Sequence, residues 1–260
     1  MDMDHEPPYT AEEHARRASS FGAQAAAYAA YRPTYPAALI EWGLAPVRDT
    51  DAPRVLDLAA GTGKLTEGLL AQGVDVVAVE PDPAMLAELT GRFPHVTTHR
   101  GTAERIPLPD ASVDAVFVGQ ALHWFDLTAA VPEIRRVLRP GGALVPVWNA
   151  FDDRVPWVAE LCVLTGTVAW SANEQEVTKP PAELLELGEV ATTVVAHRLH
   201  RTVDSLVNMV ATQSNMLTST PERRATTLDR LREFLRAEPA TAAGEFDVPL
   251  VAFGMRVVAG

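Results

Sequence analysis

The chain has 260 residues, of which 47% are hydrophobic, and a chain of this length and composition can bury a full core in one domain. Its formal net charge of -12 argues against nucleic acid as a partner, because phosphate backbones are held largely by Lys and Arg. The single cysteine, Cys162, excludes an intrachain disulfide framework, and no apolar run reaches the roughly 18 residues of a membrane-spanning helix.

The first residues, MDMDHEPPYTAEEHARR, are acidic and lack the apolar segment of a secretory signal. We therefore expect a cytoplasmic protein, in a compartment where a lone cysteine stays reduced. Residues 1–20 are expected to be flexible. No low-complexity linker or internal repeat interrupts the rest, so residues 21–260 are predicted to form one domain.

Apolar runs typical of buried strands alternate with helical segments through the first part of the chain. The strand patterns cover residues 55–59, 74–80, 95–101, 113–119 and 143–149. The helices between them are predicted to end at Leu70 and to cover 83–92 and 131–138, the last one stopped by Pro140 and two glycines. Strands separated by helices of this length predict a parallel sheet covered on both faces.

The pattern changes after Asn149. Helices are predicted over 155–170, 205–217 and 221–237, and strands near 193–203 and over 247–258. We interpret the two strands as the last of a seven-stranded, mostly parallel, doubly wound α/β sheet. The helices are placed where they can cover a pocket.

A glycine-rich stretch, VLDLAAGTGKLT, follows the first strand at residues 55–66. A phosphate-binding loop would need Gly at Leu58 and a hydroxyl at Leu65, so that interpretation fails. A dinucleotide-binding fingerprint, G-x-G-x-x-G, fits at Gly61 and Gly63, but Thr66 occupies the position of its third glycine. Glu80, at the end of the second strand, suits recognition of ribose hydroxyls.

A third interpretation includes Asp57 at the end of the first strand, which gives the pattern D-x-A-x-G-T-G. This pattern resembles the first motif of class I S-adenosylmethionine-dependent methyltransferases, whose usual form is D/E-x-G-x-G-x-G. Such a cofactor has no pyrophosphate, so its loop needs close backbone approach at Gly61 and Gly63 and an acidic group nearby. Ala59 departs from the first glycine of the pattern.

The resemblance continues along the chain. Glu80 matches the family's ribose-binding acid, Pro81 and Met85 match residues near the adenine, and the pair Ala103–Glu104 matches residues at the adenine edge. The stretch VLRPGGAL resembles the loop before the fifth strand. The stretch FGAQAAAYAAYRPTYP resembles the N-terminal lid of the small-molecule subgroup related to ubiquinone-biosynthesis and trans-aconitate methyltransferases.

The resemblance implies a Rossmann-like domain with lid helices at 21–50, a cofactor-binding core at 54–150, and C-terminal strands and cap helices at 151–260. It implies S-adenosyl-L-methionine as the cofactor. The residues expected to contact the cofactor are Tyr28, Arg32, Asp57, Ala59, Gly61, Gly63, Glu80, Pro81, Met85, Ala103, Glu104 and Gln120.

The loop after the fourth strand carries the candidates for the acceptor side. His123 is the candidate general base, because an imidazole titrates near neutral pH, and Trp124 can wall an acceptor pocket. The alternative is that both residues only pack. No metal is expected: Asn149, Asp152 and Asp153 lack the partners of a magnesium site, and His197 and His200 should face opposite sides of a strand.

The sequence thus predicts in-line methyl transfer to a small-molecule acceptor, without nucleic acid or membrane as a partner. It names neither the acceptor nor the oligomeric state. Two alternatives stay open: a protein of the same fold that binds adenosylmethionine without transferring methyl, such as a cyclase or regulatory module, and an NAD-dependent oxidoreductase.

Overall fold

The computed structural model describes residues 25–177 and 179–260. Seven strands form one sheet in the order β3-β2-β1-β4-β5-β7-β6. The strands are β1 (Arg54–Leu58), β2 (Asp75–Glu80), β3 (Thr97–Arg100), β4 (Val113–Gly119), β5 (Leu138–Phe151), β6 (Val190–Thr202) and β7 (Glu245–Val258). Neighbours among β1 to β5 are parallel, whereas β7 runs antiparallel to both β5 and β6. The predicted seven-stranded, mostly parallel sheet is confirmed.

Helices cover both faces of the sheet and its carboxyl end. They are α1 (Ala25–Tyr31), α2 (Ala37–Leu44), α3 (Lys64–Leu70), α4 (Pro83–Arg92), α5 (Leu127–Val137), α6 (Pro156–Thr165), α7 (Trp170–Val177), α8 (Ala182–Leu187), α9 (Val203–Ala211), α10 (Ser214–Leu217) and α11 (Pro221–Ala237). None of the helices in the described ranges is long and apolar enough to cross a membrane.

Several predicted boundaries were wrong, each for a local reason. The helix expected over 155–170 ends at Thr165, because Gly166 adopts φ +64° and a second helix begins only at Trp170. The segment 205–217 forms two short helices with a break at Thr212–Gln213. Helix α8 was not predicted. The expectations for residues 1–20, and for the start of the lid at Phe21, fall outside the described residues.

The sheet order places the candidate site. Strands β1 and β4 are neighbours, and the chain winds outward from them in opposite directions, which is where ligands bind in doubly wound folds. Gly119, the last residue of β4, pairs with Val147, and β5 continues to Phe151. Strands β7 and β6 extend alongside this longer end of β5. These three strands therefore rise as a wall beside the carboxyl end of β4.

Close packing between α2 and the sheet depends on Gly43. A Cβ atom at Gly43 would lie 2.7 Å from Val145 Cγ1 and 2.8 Å from Phe117 Cζ. Phe117 is fully buried at the centre of β4. The missing side chain therefore lets α2 lie directly on β4 and β5, and this positions the segment that follows α1 over the site.

Gly43→Ala should lower the free energy of unfolding by about 1–3 kcal/mol, because the added methyl group overpacks this contact. Gly91→Ala is the matched control: Gly91 also lies next to the end of its helix, but no atom comes within 4 Å of an added Cβ. There the higher helix propensity of Ala should stabilise by up to about 1 kcal/mol. Urea unfolding of both variants measures the difference, and equal effects would contradict the packing role.

Candidate functional site

The loop between β1 and α3 has the backbone geometry of a close-approach loop. Ala59, Gly61 and Gly63 all have positive φ, at +57°, +56° and +82°. A Cβ atom at Gly61 would meet nothing within 4 Å, so this position faces open space. A Cβ atom at Gly63 would lie 2.9 Å from Phe93 Cε2, so this glycine lets the loop pack on α4. Ala59 pays about 1 kcal/mol or more for a left-handed conformation that the motif's usual glycine adopts freely.

Asp57 is fully buried at the end of β1. Its Oδ2 accepts a hydrogen bond from Thr66 Oγ1 on α3 at 2.6 Å, and its Oδ1 is buried without a partner. Burial raises the pKa of Asp57 to about 7, against the opposing effect of the Thr66 bond and with a further contribution from the nearby Glu80 charge. Asp57 thus keeps an unused acceptor oxygen inside the site.

Glu80 joins the loop to β2. This side chain is 6% exposed; its Oε2 accepts from the Gly61 backbone N–H at 2.8 Å and its Oε1 accepts from the Asp82 N–H at 2.9 Å. Burial raises the pKa of Glu80, and the two backbone donors oppose that rise. Each carboxylate oxygen keeps a lone pair, so the group can still accept bonds from a ligand.

The remaining predicted cofactor residues follow the carboxyl edge of the sheet. Met85 and Ala103 are buried, whereas Pro81 is exposed and its carbonyl accepts from Arg100 Nε at 3.2 Å. Glu104 is half-buried, and its Oε1 accepts from the Asp126 N–H at 3.1 Å. The carboxylate of Glu104 therefore supports the turn that begins α5.

Arg32 connects the lid to the cap. Its Nε and one terminal nitrogen each donate to Thr212, at the end of α9, at 3.0 Å. Its guanidinium also lies 4.9 Å from the centre of the Tyr28 ring. In this structure Arg32 thus ties α1 to the cap helices. Tyr35, in the same segment, is buried with its hydroxyl against Gly119, at the end of β4.

The loop after β4 starts with a strained residue. Gln120 has φ +59°; its N–H donates to the Val147 carbonyl at 2.9 Å, and its Nε2 donates to the Asn149 carbonyl at 2.8 Å. His123 is exposed on a short 3₁₀ turn, with its ring 4.8 Å from that of the half-buried Trp124. The structure thus brings Gln120, His123 and Trp124 to the edge formed by β4 and β5.

Sequence reasoning missed two contributors to this edge. The sequence analysis treated Thr66 only as a mismatch to the third glycine of a dinucleotide fingerprint, yet its hydroxyl donates a hydrogen bond to Asp57. Asn149 entered only as a metal candidate, yet its Nδ2 donates to the Thr34 carbonyl at 3.2 Å and its Oδ1 lies 2.8 Å from His197 Nε2. No local pattern marks such contacts, because their partners lie far away in sequence.

The carboxylates after β5 do not converge on a common point. Asp152 binds the Arg154 guanidinium, and Asp153 accepts from the backbone and hydroxyl of Ser171. On β6, His197 is half-buried and His200 is exposed beside Asp247, so the expected opposite facing is confirmed. Within 25–177 and 179–260, no three His, Cys, Asp or Glu side chains form a metal-binding group.

The pKa of Asp57 is raised to about 7 in the folded protein, against about 4 in the unfolded chain. Between these pH values the folded protein holds a proton that the unfolded chain has lost, so protonation favours the folded state. The stability from this group should therefore be fully present below about pH 4 and lost as the pH rises through about 7, a change on the order of 3 kcal/mol. Asp57→Asn, which can still accept from Thr66, should lose most of this slope. Urea unfolding at pH 5 and pH 8 checks it, and equal slopes in both proteins would contradict the assignment.

Comparison with known proteins agrees with this geometry. A family model described as a methyltransferase domain matches residues 56–145. An uncharacterized methyltransferase of Mycobacterium tuberculosis is 45% identical over 227 residues, which cover 86% of this chain and 88% of that protein. A demethylmenaquinone methyltransferase of Beutenbergia cavernae is 42% identical over 106 residues, covering 38% of this chain and 44% of that protein.

A solved structure shows the same architecture. A protein of Anaeromyxobacter dehalogenans, assigned as a type II methyltransferase, superposes with a TM-score of 0.61 at 27% identity, over 88% of this chain and 98% of that one. The similarity therefore extends from the glycine loop through the cap. The chain belongs to the class I S-adenosyl-L-methionine-dependent methyltransferases.

Proposed function

We propose that the edge formed by the carboxyl ends of β1, β2 and β4 holds S-adenosyl-L-methionine, and that this protein methylates a small-molecule acceptor. The observation that carries the proposal is the pair of buried carboxylates, Asp57 and Glu80, beside the open backbone at Gly61. A ligand with an ammonium group and two ribose hydroxyls supplies the donors that these oxygens accept.

The residues present suit this cofactor. Asp57 Oδ1 and Thr62 Oγ1 are buried polar atoms without partners, and a buried polar atom costs free energy until something satisfies it. The residues proposed to surround the cofactor are Tyr28, Arg32, Asp57, Ala59, Gly61, Gly63, Glu80, Pro81, Met85, Ala103 and Glu104. The Gln120 side chain donates to the Asn149 carbonyl on β5.

When bound, the cofactor supplies an electrophilic methyl group on its sulfonium. The chain contributes orientation and exclusion of water. Glu80 and the Gly61 N–H fix the loop, and α1 and the segment after it close one side through the bonds of Arg32 to Thr212. His123 stands at the open edge after β4, where it can take a proton from a hydroxyl or amine.

A small-molecule acceptor, without nucleic acid, is supported by the net charge of -12 and by the cap. Helices α9 and α11 and the extended ends of β5, β6 and β7 share a hydrophobic cluster, and Tyr31 at the end of α1 packs against it. A demethylmenaquinone methyltransferase among the relatives acts, by its name, on a small molecule.

Isothermal titration should give micromolar binding of adenosylmethionine, on the order of -8 kcal/mol. Glu80→Ala should weaken it by about 1.5–3 kcal/mol, because the ribose hydroxyls lose a charged acceptor and the Gly61 N–H loses its partner. Glu88→Ala, on the partly exposed surface of α4, should leave the affinity unchanged. Tight binding of NAD with none of adenosylmethionine would overturn the proposal.

His123→Ala should lower turnover by roughly 10²–10⁴ at unchanged cofactor affinity if His123 is the general base. Release of S-adenosylhomocysteine from adenosylmethionine measures this with any acceptor that supports turnover. His95→Ala, at an exposed position after α4, is the control. Normal turnover with only a lower Tm would assign His123 to packing.

A further inference from the structure

The hydroxyl of Tyr35 lies at the carboxyl end of β4. A Cβ atom at Gly119, the last residue of β4, would lie 2.8 Å from the Tyr35 hydroxyl oxygen and 3.2 Å from Leu65 Cδ2 on α3. Gly119 does not have a positive φ, so the space, and not the backbone conformation, requires glycine here. The missing side chain lets the Tyr35 hydroxyl reach the point where β4 and α3 meet.

This point is on the side of the site that holds Asp57. Strands β1 and β4 are neighbours, with Asp57 near the end of one and Gly119 at the end of the other. Leu65 precedes Thr66, whose hydroxyl donates to Asp57. The Tyr35 hydroxyl therefore enters the candidate site from the segment after α1, at the junction of β1, β4 and α3.

The residues before Tyr35 are bound to the cap and to the sheet. Arg32 donates two hydrogen bonds to Thr212 at 3.0 Å, and Asn149 Nδ2 donates to the Thr34 carbonyl at 3.2 Å. Tyr35 itself is buried in the hydrophobic cluster between α2 and the sheet. These contacts hold the hydroxyl in position before a ligand binds.

The Tyr35 hydroxyl is a hydrogen-bond donor without a partner. In the described part of the chain no group accepts from it or donates to it, and its oxygen is not among the fully enclosed unpartnered atoms. Burial raises the pKa of Tyr35 well above its usual value; Tyr28 and Asp57 raise it further, and Arg32 lowers it. The hydroxyl therefore keeps its hydrogen at neutral pH and can donate it to a ligand.

The proposed cofactor has a group that needs such a donor. Its amino-acid end carries an ammonium and a carboxylate on the same carbon atom. The buried carboxylates of Asp57 and Glu80 can accept from the ammonium and from ribose hydroxyls, but they repel another carboxylate. If Asp57 receives the ammonium, the cofactor carboxylate needs a donor on the same side of the site, where the Tyr35 hydroxyl lies.

Two guanidinium groups near this segment are bound to other partners. Arg32 uses two of its nitrogens on Thr212, and Arg201 donates to the carbonyls of Tyr31 and His200. Arg201 Nε is a further donor without a partner, but it is fully enclosed by the protein. Either group would give up bonds that hold the segment after α1 if it turned to a ligand, whereas Tyr35 gives up none.

Lys64, the first residue of α3, is the alternative donor in the loop. Burial lowers the pKa of Lys64, Arg92 lowers it further, and Glu67 opposes them. These charged neighbours lie on α3 and at the end of α4, whereas the Tyr35 hydroxyl lies at the end of β4. The two candidate donors can therefore be separated by substitution.

We propose that the Tyr35 hydroxyl donates a hydrogen bond to the carboxylate of the bound cofactor and so fixes the cofactor's amino-acid end. This inference rests on the proposed function, because it names a contact within the same cofactor site. It makes Tyr35 a cofactor-binding residue, and it implies that the site selects for a ligand that carries the carboxylate.

Isothermal titration of the full chain compares S-adenosylhomocysteine with the same molecule lacking its carboxylate. The wild-type protein should bind S-adenosylhomocysteine about ten-fold or more tightly than the decarboxylated ligand, the effect of a hydrogen bond to a charged group. Tyr35→Phe should raise the Kd of S-adenosylhomocysteine about ten-fold or more for the same reason. It should leave the Kd of the decarboxylated ligand within about two-fold, which also shows that the variant is folded.

Two further variants serve as controls. Tyr31→Phe removes a hydroxyl from a neighbouring tyrosine, which packs against the hydrophobic cluster of the cap, and it should leave both Kd values unchanged. Lys64→Met removes the alternative donor. It should change the ratio of the two Kd values by less than about three-fold, because only a solvent-screened charge is lost.

Each failure has its own signature. If the wild-type protein does not bind S-adenosylhomocysteine, the proposed cofactor site fails and this inference fails with it. If S-adenosylhomocysteine binds but Tyr35→Phe leaves its Kd unchanged, or raises both Kd values equally, only the present inference is overturned. The same holds if the wild-type protein binds both ligands equally well, or if Lys64→Met abolishes the preference between them.

Discussion

The Glu80 carboxylate is the constraint on which the site depends. It accepts from the Gly61 N–H on one side and the Asp82 N–H on the other, and so joins the loop after β1 to the turn after β2. Two neighbouring parallel strands bring these loops to the same edge, where the carboxylate joins them together with the bond from the Ala60 N–H to the Val79 carbonyl. Because Glu80 is buried, its bonds are not weakened by competing water, and the open backbone at Gly61 is held ready for a ligand.

The same loop lowers the free energy of unfolding, and Asp57 is the clearest source of this effect. A carboxylate buried with one unpartnered oxygen destabilises the folded chain at pH values where it is ionised. Ala59 adds backbone strain in the same loop. Binding of a cationic, hydroxylated ligand would satisfy the carboxylates. Backbone strain beside a buried, unpartnered carboxylate oxygen is typical of a binding site.

The sequence predicted the repetitive part of the fold and the cofactor loop, because both depend on local patterns. Apolar runs marked the strands, the D-x-A-x-G-T-G pattern placed Asp57 at the end of β1, and the second apolar run placed Glu80 at the end of β2. The sequence did not predict the helix break at Gly166, because Gly166 follows an apolar run. It did not predict the left-handed conformation of Ala59 either, because alanine seldom adopts positive φ. The contact of Asn149 with His197 was also beyond it, because it crosses β7 between residues 48 apart in the chain.

This difference explains why the cofactor is easier to infer than the acceptor. The residues proposed to hold the cofactor lie mostly within one stretch from β1 to the start of α5, and the matching family model covers residues 56–145. Gln120, Asn149 and His197 come instead from the loop after β4, from β5 and from β6, and β7 pairs with both β5 and β6. No single stretch of the sequence therefore marks these contacts, whereas the loop that contains Asp57, Gly61 and Gly63 is one local pattern.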